Sequence, residues 1–536
     1  MRLEKIKPWI LIFCAAFFSI FLHGYHYGKW EMGFYAPMAK RIIETGFLSG
    51  DWFLNLTPYH QNILWLIGKF SLLVGLPVSF FIFHFLTVFI YLGATYLFVW
   101  ELSKNKNIAL FAMSLLSIVI PFGLGGYCIL ANYFVPGNLA YALILFSGYF
   151  FLGGKYFLMF LGALLAAKVH FLAGLNWLIL ISPYYIYVLA KNKKYKEFIW
   201  IILVFLILLW PDILALLRLQ ENTLGFSQVF LNINVRFRYP HHYLLTAQSI
   251  LNILFVAIFI LFILRQIKIF FSEKQQQKIV YLIFGLIFFM LVNLFFVDLW
   301  PVVLIAKLQF LRLTFLFEYL FIVLFAFTIR PLYFLLLVFL PPLVYFFPDQ
   351  RIQAFFMIMV MYYALYGLKN SKKQFHIRKD YIFALIVFWI FLFGIDFTKK
   401  VAIDLKKQAT PWAEVCIAAR NLSGADAVFL VPPDLEGFRL VAERAVVVDF
   451  KACPYLEKDT TEWLCRITDI AGPLPGNLNM PGFALLPILT DNYDKLSWSS
   501  ICRFGSKYNA DYVITRTYYS EKKVLYKNKK FYIYSL

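Results

Sequence analysis

The segment "GYHYGKWEMGFYAPMAK" (24–40) places one carboxylate, Glu31, among Tyr25, Tyr27, Trp30 and Tyr35, with His26 and Lys29 close by. Two more acids, Glu44 and Asp51, follow before residue 60. Later, "KVHFLAG" (168–174) supplies Lys168 and His170, and "NVRFRYPHHY" (234–243) packs Arg236, Arg238, His241 and His242 into seven residues. Lys307, Arg312 and Glu318 interrupt the apolar run 302–329. Ionisable groups within an apolar span are costly unless paired, so these three require partners. A carboxylate can take a proton from a hydroxyl nucleophile, an effect worth roughly 10²–10⁴ in rate. Arg and His donors can hold a phosphate as it gains charge. Together these residue types fit chemistry on an anionic, lipid-linked headgroup. Each also has a structural reading: Asp51 as a cap after "LSG", the histidine pair as a turn closed by Pro240, His170 as an interior histidine.

The elements that would position them are membrane helices. Of 536 residues, 62% are hydrophobic, 20% aromatic and only 15% charged. Soluble domains carry about 25% charged residues. A polytopic α-helical membrane protein is therefore expected, with the lipid bilayer as its first partner. The net charge of +21 resides largely in short loops between apolar runs, where it orients the chain rather than recruiting nucleic acid.

Run lengths give about thirteen helices: 9–23, 77–101, 108–122, 136–153, 156–168, 171–190, 198–217, 247–267, 279–299, 302–329, 331–347, 352–368 and 381–397. The stretch 61–75 is expected as an amphipathic surface helix. With the N-terminus inside, 20 Lys and Arg fall in the inner loops against nine outside, as the positive-inside rule requires. The first loop (24–60), the 168–174 turn, the 218–246 loop and the tail then lie outside. The segment 9–22 is followed by bulky aromatic residues rather than a small-residue cleavage site, and is read as a retained helix.

Residues 1–397 form the membrane domain and 398–536 a separate extracytoplasmic α/β domain. In the latter, helices are expected at 409–422, with Thr410 as N-cap and Pro411 at the first position, and at 458–472 and 490–508. Strands are expected at 426–432, 445–450, 511–516, 523–528 and 531–535. Arg439, Glu443, Arg444, Asp449 and Lys451 are read as holding this domain together, or as lining an acceptor groove. Cysteines 416, 453, 465 and 502 allow three pairings, of which at most one bridge is expected, because Cys416 and Cys465 occupy apolar helix positions. No CxxC, GxGxxG or P-loop occurs.

An early outer loop with Glu31 in "KWEMGFY" and Asp51 in "SGDWF", many helices of unequal length and an outer α/β tail resemble the GT-C superfamily of polytopic glycosyltransferases. "KVHFLAGL", "RYPHHY" and "DAVFLVPPDLEGFRLVAERAVVVDFK" also resemble uncharacterised bacterial membrane proteins of that layout. The resemblance implies an enzyme of the bacterial cytoplasmic membrane that moves a sugar from a polyprenyl-phosphate carrier to an extracytoplasmic acceptor, glycan, lipid or protein. It puts the base role on Glu31 and a second acidic role on Asp51. His170, Arg236, Arg238, His241, His242 and Arg312 would bind substrate. The family's commonest pattern has an Asp, often an acidic pair, where Glu31 stands alone. Separated acids leave a divalent metal, Mg or Mn, open as cofactor, without a dedicated metal motif. Two rivals are a non-catalytic relative that binds lipid-linked glycans, and a lipid or solute transporter using Lys307, Arg312 and Glu318. Repeated halves that would mark a transporter are not seen.

Overall fold

A computed structural model of the chain describes residues 8–56, 60–126, 128–193, 196, 199–200, 203–204, 207–211, 213–214, 228–328, 403–405, 410–472 and 482–536. The expected helices 331–347, 352–368 and 381–397 and the domain boundary at 397/398 lie outside these residues, as does part of 198–217.

The first eight helices are α1 (Pro8–His23), α2 (Met32–Ile43), α3 (Gln61–Val74), α4 (Leu76–Ser103), α5 (Lys106–Ile118), α6 (Pro136–Leu152), α7 (Tyr156–Val169) and α8 (Phe171–Asn192). Then come α9 (Ile250–Phe270), α10 (Glu273–Asn293), α11 (Val303–Leu308) and α12 (Phe315–Thr328). Five helical runs are long and apolar enough to cross a bilayer: Leu76–Ser103, Phe171–Asn192, Ile250–Phe270, Glu273–Leu299 and Val303–Phe327. Five shorter apolar helices accompany them, α1, α3, α5, α6 and α7. Large apolar side chains on α9 and α10, among them Ile250, Leu261, Phe284 and Phe288, face outward, as lipid-facing residues do.

α4 is the hub, packing against α1, α3, α5 and α6. The α7–α8 hairpin is close enough that a Cβ on Gly174 would lie 2.3 Å from the backbone nitrogen of Ala167. Gly174→Ala must therefore pry two helix backbones apart. Overpacking of this kind costs about 1–3 kcal/mol. A thermal scan in detergent should show a clear loss of stability for Gly174→Ala and none for Gly46→Ala, where a Cβ meets nothing within 4 Å.

One face of α3, with Ile63, Leu64, Ile67 and Gly68, is buried, and its exposed face mixes Gln61, Asn62 and Lys69 with Trp65, Leu66, Leu72 and Leu73. One expectation is corrected: the run 302–329 is not one helix. Gln309 adopts a left-handed conformation (φ 53°), and a 3₁₀ turn, Phe310–Thr314, separates α11 from α12.

The tail begins with β2 (Ile403–Asp404), which pairs in parallel with β1 (Tyr25–His26) of the first outer loop. The helices α13 (Pro411–Leu422), α14 (Glu457–Ala471), α15 (Leu486–Asp494) and α16 (Trp498–Tyr508) surround a sheet of β3 (Val428–Leu430), β4 (Ala445–Val446), β5 (Tyr512–Thr515), β6 (Tyr526–Lys527) and β7 (Tyr532–Ser535). Strand order is β4-β3-β5-β7-β6, with β4, β3 and β5 parallel and the last two antiparallel. Alternate side chains serve opposite faces. Phe429, Ile514 and Ile533 join Trp412, Val415 and Cys416 on one side, whereas Leu430, Val513 and Tyr534 join Trp463, Ile467 and Ile501 on the other.

Thr410 caps α13 as expected, its hydroxyl accepting from the Ala413 amide (3.1 Å). The single helix expected at 490–508 is two, because Ser497 starts α16 by accepting from the Ser500 amide (3.2 Å). None of the six cysteines forms a disulfide; Cys416 and Cys453 are buried, but Cys465 is exposed rather than a core residue. The described residues form a multi-pass membrane protein with a C-terminal α/β domain outside the apolar layer.

Candidate functional site

Glu31 precedes α2, and its carboxylate makes no capping bond to that helix. It reaches across to other elements instead. Tyr133, in the loop between α5 and α6, donates to Oε2 (2.6 Å), and Lys451 Nζ of the tail sits 2.9 Å from Oε1. Burial alone would raise the carboxyl pKa, but the Lys451 charge and the Tyr133 hydroxyl overcome it and hold Glu31 below the usual range. Because this value lies below that of the unfolded chain, the ion pair adds stability above the ordinary carboxylate range. The contribution fades as pH falls through the lowered value.

Lys451 Nζ also stands over the Trp30 ring (4.5 Å) and the Phe483 ring (5.4 Å). Arg238 occupies the same aromatic nest. Its guanidinium lies over Tyr239 (4.5 Å), Phe450 (4.7 Å) and Phe483 (4.4 Å), and Nη2 donates to the Lys451 carbonyl (3.3 Å). The side chain is fully buried, and its Nε and Nη1 have no hydrogen-bond partner among the described residues.

The next layer is histidine-rich. His242 Nδ1 lies 2.6 Å from the Gly125 carbonyl, so that nitrogen carries the proton, and its ring packs 4.0 Å from that of His241. A Cβ on Gly126 would meet the His241 ring at 2.7 Å, and Gly126 has φ +69°, which favours glycine on two counts. Arg312, aimed by the 3₁₀ turn, lies 3.0 Å from His170 Nε2. A guanidinium only donates, so His170 accepts there and is neutral. Its ring lies 4.6 Å from His60. Burial first, and then the charges of Arg238, Lys451 and Arg312, push His241 down to about 4; burial and then Arg312 push His60 to about 4. Burial, His241 and Arg312 likewise lower His242. At neutral pH these histidines are polar but uncharged.

Six of the eight residues singled out in the sequence thus converge: Glu31, His170, Arg238, His241, His242 and Arg312. Two stand apart. Arg236 is exposed and donates to Asn232 on its own helical turn (3.2 Å). Asp51 is fully buried, bound to Arg439 Nε (2.7 Å) and to the amides of Leu54 and Val446 (both 3.0 Å). The capping reading of Asp51 is thereby realised at Leu54, and the same carboxylate joins the loop to the tail. Arg439 also pairs with Asp449.

The aromatic residues divide similarly. Tyr25, Tyr27 and Tyr35 are core, leaving Trp30 exposed and held in a left-handed conformation (φ 50°). The intramembrane ionisable groups find separate partners, as their spacing requires. Arg312 meets His170, Glu318 accepts from the Phe122 amide (2.8 Å), and Lys307 lies over the Phe230 ring (5.3 Å).

Reasoning from the sequence missed Lys451, Tyr133 and His60. Lys451, like Arg439 and Glu443, is expected either to hold the tail together or to line an acceptor groove, with no partner in the first loop, yet all three reach that loop, Glu443 through Lys40 (3.0 Å). Arg444 binds within its own domain, to the carbonyls of Arg420 and Ser423 (both 2.7 Å), and the pairs Arg439–Asp449 and Arg420–Glu443 (2.7 Å) also hold the tail together. The contact is intimate: a Cβ on Gly33 would lie 3.3 Å from Gly437.

The sequence profile of a domain of unknown function, DUF6798, matches residues 410–470. That match covers α13 to α14 and includes Arg439, Glu443, Asp449 and Lys451. No curated protein matches the chain. The DUF6798 segment thus supplies the partners of Glu31, Lys40 and Asp51.

Lys451, Arg238 and Arg312 together outnumber Glu31, the one carboxylate that the described residues bring to this cluster. Asp51 and Asp449 are engaged by Arg439. Among the described residues the cluster thus carries more positive than negative charge, an arrangement that attracts anions. Among the described residues no three His, Cys, Asp or Glu side chains converge as a metal cradle.

Proposed function

We propose that this protein is a membrane glycosyltransferase of GT-C-like type that takes a sugar from a polyprenyl-phosphate carrier and passes it to an acceptor outside the cytoplasm. The observation that supports this reading is the single carboxylate, Glu31, set among Lys451, Arg238, Arg312 and four neutral histidines where the tail meets the membrane domain. In the reaction, the acceptor O–H gives its proton to Glu31 while its oxygen bonds to the anomeric carbon. The bond from that carbon to the phosphate oxygen breaks, and the electron pair leaves with the polyprenyl phosphate. The cations offset the charge that develops there. Trp30, exposed beside Lys451, offers a face on which a sugar can stack.

Membranes containing the protein, supplied with a panel of polyprenyl-phosphate sugars, are expected to yield a new glycolipid or glycoprotein. A second reading has one observation in its favour: both oxygens of Glu31 already have partners, Lys451 and Tyr133. A non-catalytic protein that binds lipid-linked glycans would keep such a pair intact. Absence of product across the panel, with retained donor binding, selects that reading.

A further inference from the structure

Lys451 is the one group in the cluster that touches both the carboxylate and the exposed aromatic ring. Its side chain retains 12% exposure, and that of Glu31 retains 29%, so the ion pair lies at a rim rather than in the core. Behind Lys451, Arg238 holds the backbone carbonyl of the same residue and shares with it the Phe483 ring. Among the described residues Arg238 has no carboxylate of its own, and two of its buried nitrogens have no hydrogen-bond partner there. One acid thus faces two adjacent cations, a charge imbalance that a second anion would offset.

We propose that Lys451, delivered by the C-terminal domain, is the residue that binds a phosphate group, and that the incoming phosphate takes it away from Glu31. Arg238 acts as a positioning residue: it fixes the Lys451 backbone and adds positive charge behind it without touching the ligand. No covalent step is involved. The phosphate oxygens replace the Glu31 oxygen as partners of Nζ, and the carboxylate is left with Tyr133 and a new negative neighbour. Both changes favour its protonated form, so Glu31 becomes a stronger base when the phosphate is in place. An acceptor would then lose its proton only beside a seated donor, and free carboxylate would not be exposed in an empty site. This rests on the proposed role of Glu31 as base, but the binding half stands without any sugar transfer.

The test is equilibrium binding to the full-length protein in detergent, read by Trp30 fluorescence, with Trp30→Phe subtracted to remove the other indoles. The probes are farnesyl phosphate, farnesol and inorganic phosphate. Farnesyl phosphate is expected to change the Trp30 signal and farnesol not. A comparable response to inorganic phosphate would assign the site to free phosphate rather than to a lipid headgroup.

Glu31→Gln should bind the responding phosphate several-fold more tightly, because Lys451 no longer has to leave a carboxylate. Lys451→Met should weaken binding by about tenfold or more, and Lys451→Arg should restore most of it. Since Lys451→Met strands Glu31, the double variant Glu31→Gln/Lys451→Met guards against misfolding. It leaves neither charge alone, and it too should fail to bind.

Labelling of Glu31 by a hydrophobic carbodiimide, which needs a protonated carboxyl, should rise on adding the phosphate to the native protein. Unchanged affinity in the folded double variant would overturn the assignment. So would Glu31→Gln binding more weakly than the native chain, or a native protein that binds neither phosphate. A native protein that binds the phosphate through Lys451 but forms no glycosylated product leaves the binding half of this inference standing and removes the glycosyltransferase reading instead.

Discussion

Arg439→Met is expected to detach the first outer loop from the C-terminal domain. Arg439 is the shared partner of Asp51 and Asp449, and its side chain is only 3% exposed. Removing one member of a buried ion pair leaves the other charge without compensation, at a cost of about 3–5 kcal/mol. Here two carboxylates lose their cation together. Asp51 is fully buried and would retain only the Leu54 and Val446 amides.

Polytopic proteins seldom unfold in one step, so the effect is best read locally. In detergent, amide exchange at Leu54 and Val446 should lose protection by on the order of 10²-fold or more, following the same ion-pair cost. Asp491→Asn is the control, since its pair with Lys495 is exposed on both sides and such pairs contribute about 0–1 kcal/mol. If Leu54 and Val446 stay protected in Arg439→Met, the ion pair does not fasten the two parts.

Glu31→Gln is expected to behave in the opposite way, leaving the architecture intact and stopping turnover. The amide can still accept from Tyr133, so the neighbourhood keeps its shape. What disappears is the proton acceptor, and turnover should fall by at least about 10²-fold without weaker donor binding. Asp51→Asn separates the two acids. Its carboxylate has no share in the Glu31 cluster, so its effect should follow the stability loss and leave the chemical step of the surviving folded fraction close to normal. Full turnover in Glu31→Gln would remove the base assignment.

Much of the scaffold was legible because its causes are local. Lipid-facing helices follow from apolar run length, and α4, α6, α7, α8 and α9 end within a few residues of the expected bounds. The start of α13 was legible in Thr410 and Pro411, a cap and a residue preset for the first turn. The break between α15 and α16 was also written in the chain, as Ser497 ahead of Ser500, but a long helical period masked it. The break at Gln309 carries no comparable mark. It accompanies the contact of Arg312 with His170, a partner distant in sequence.

The candidate site divides along the same line. Glu31 and the 234–243 cations stand out by type, since charge beside an apolar span demands an explanation. Lys451 does not, because a lysine after a strand in a soluble domain is ordinary. Only the docking of the tail gives it a meaning, and no spacing in one dimension encodes that.

The partnership between the first outer loop and the tail also fixes an order of events in synthesis. Asp51 precedes Arg439 by 388 residues. At roughly 5–20 residues per second, a ribosome needs on the order of 20–80 s to travel that distance. Throughout this interval Asp51 lacks its cation and Glu31 its lysine. A nascent chain truncated before residue 439 would therefore leave both acids of the loop without the partners that the tail supplies.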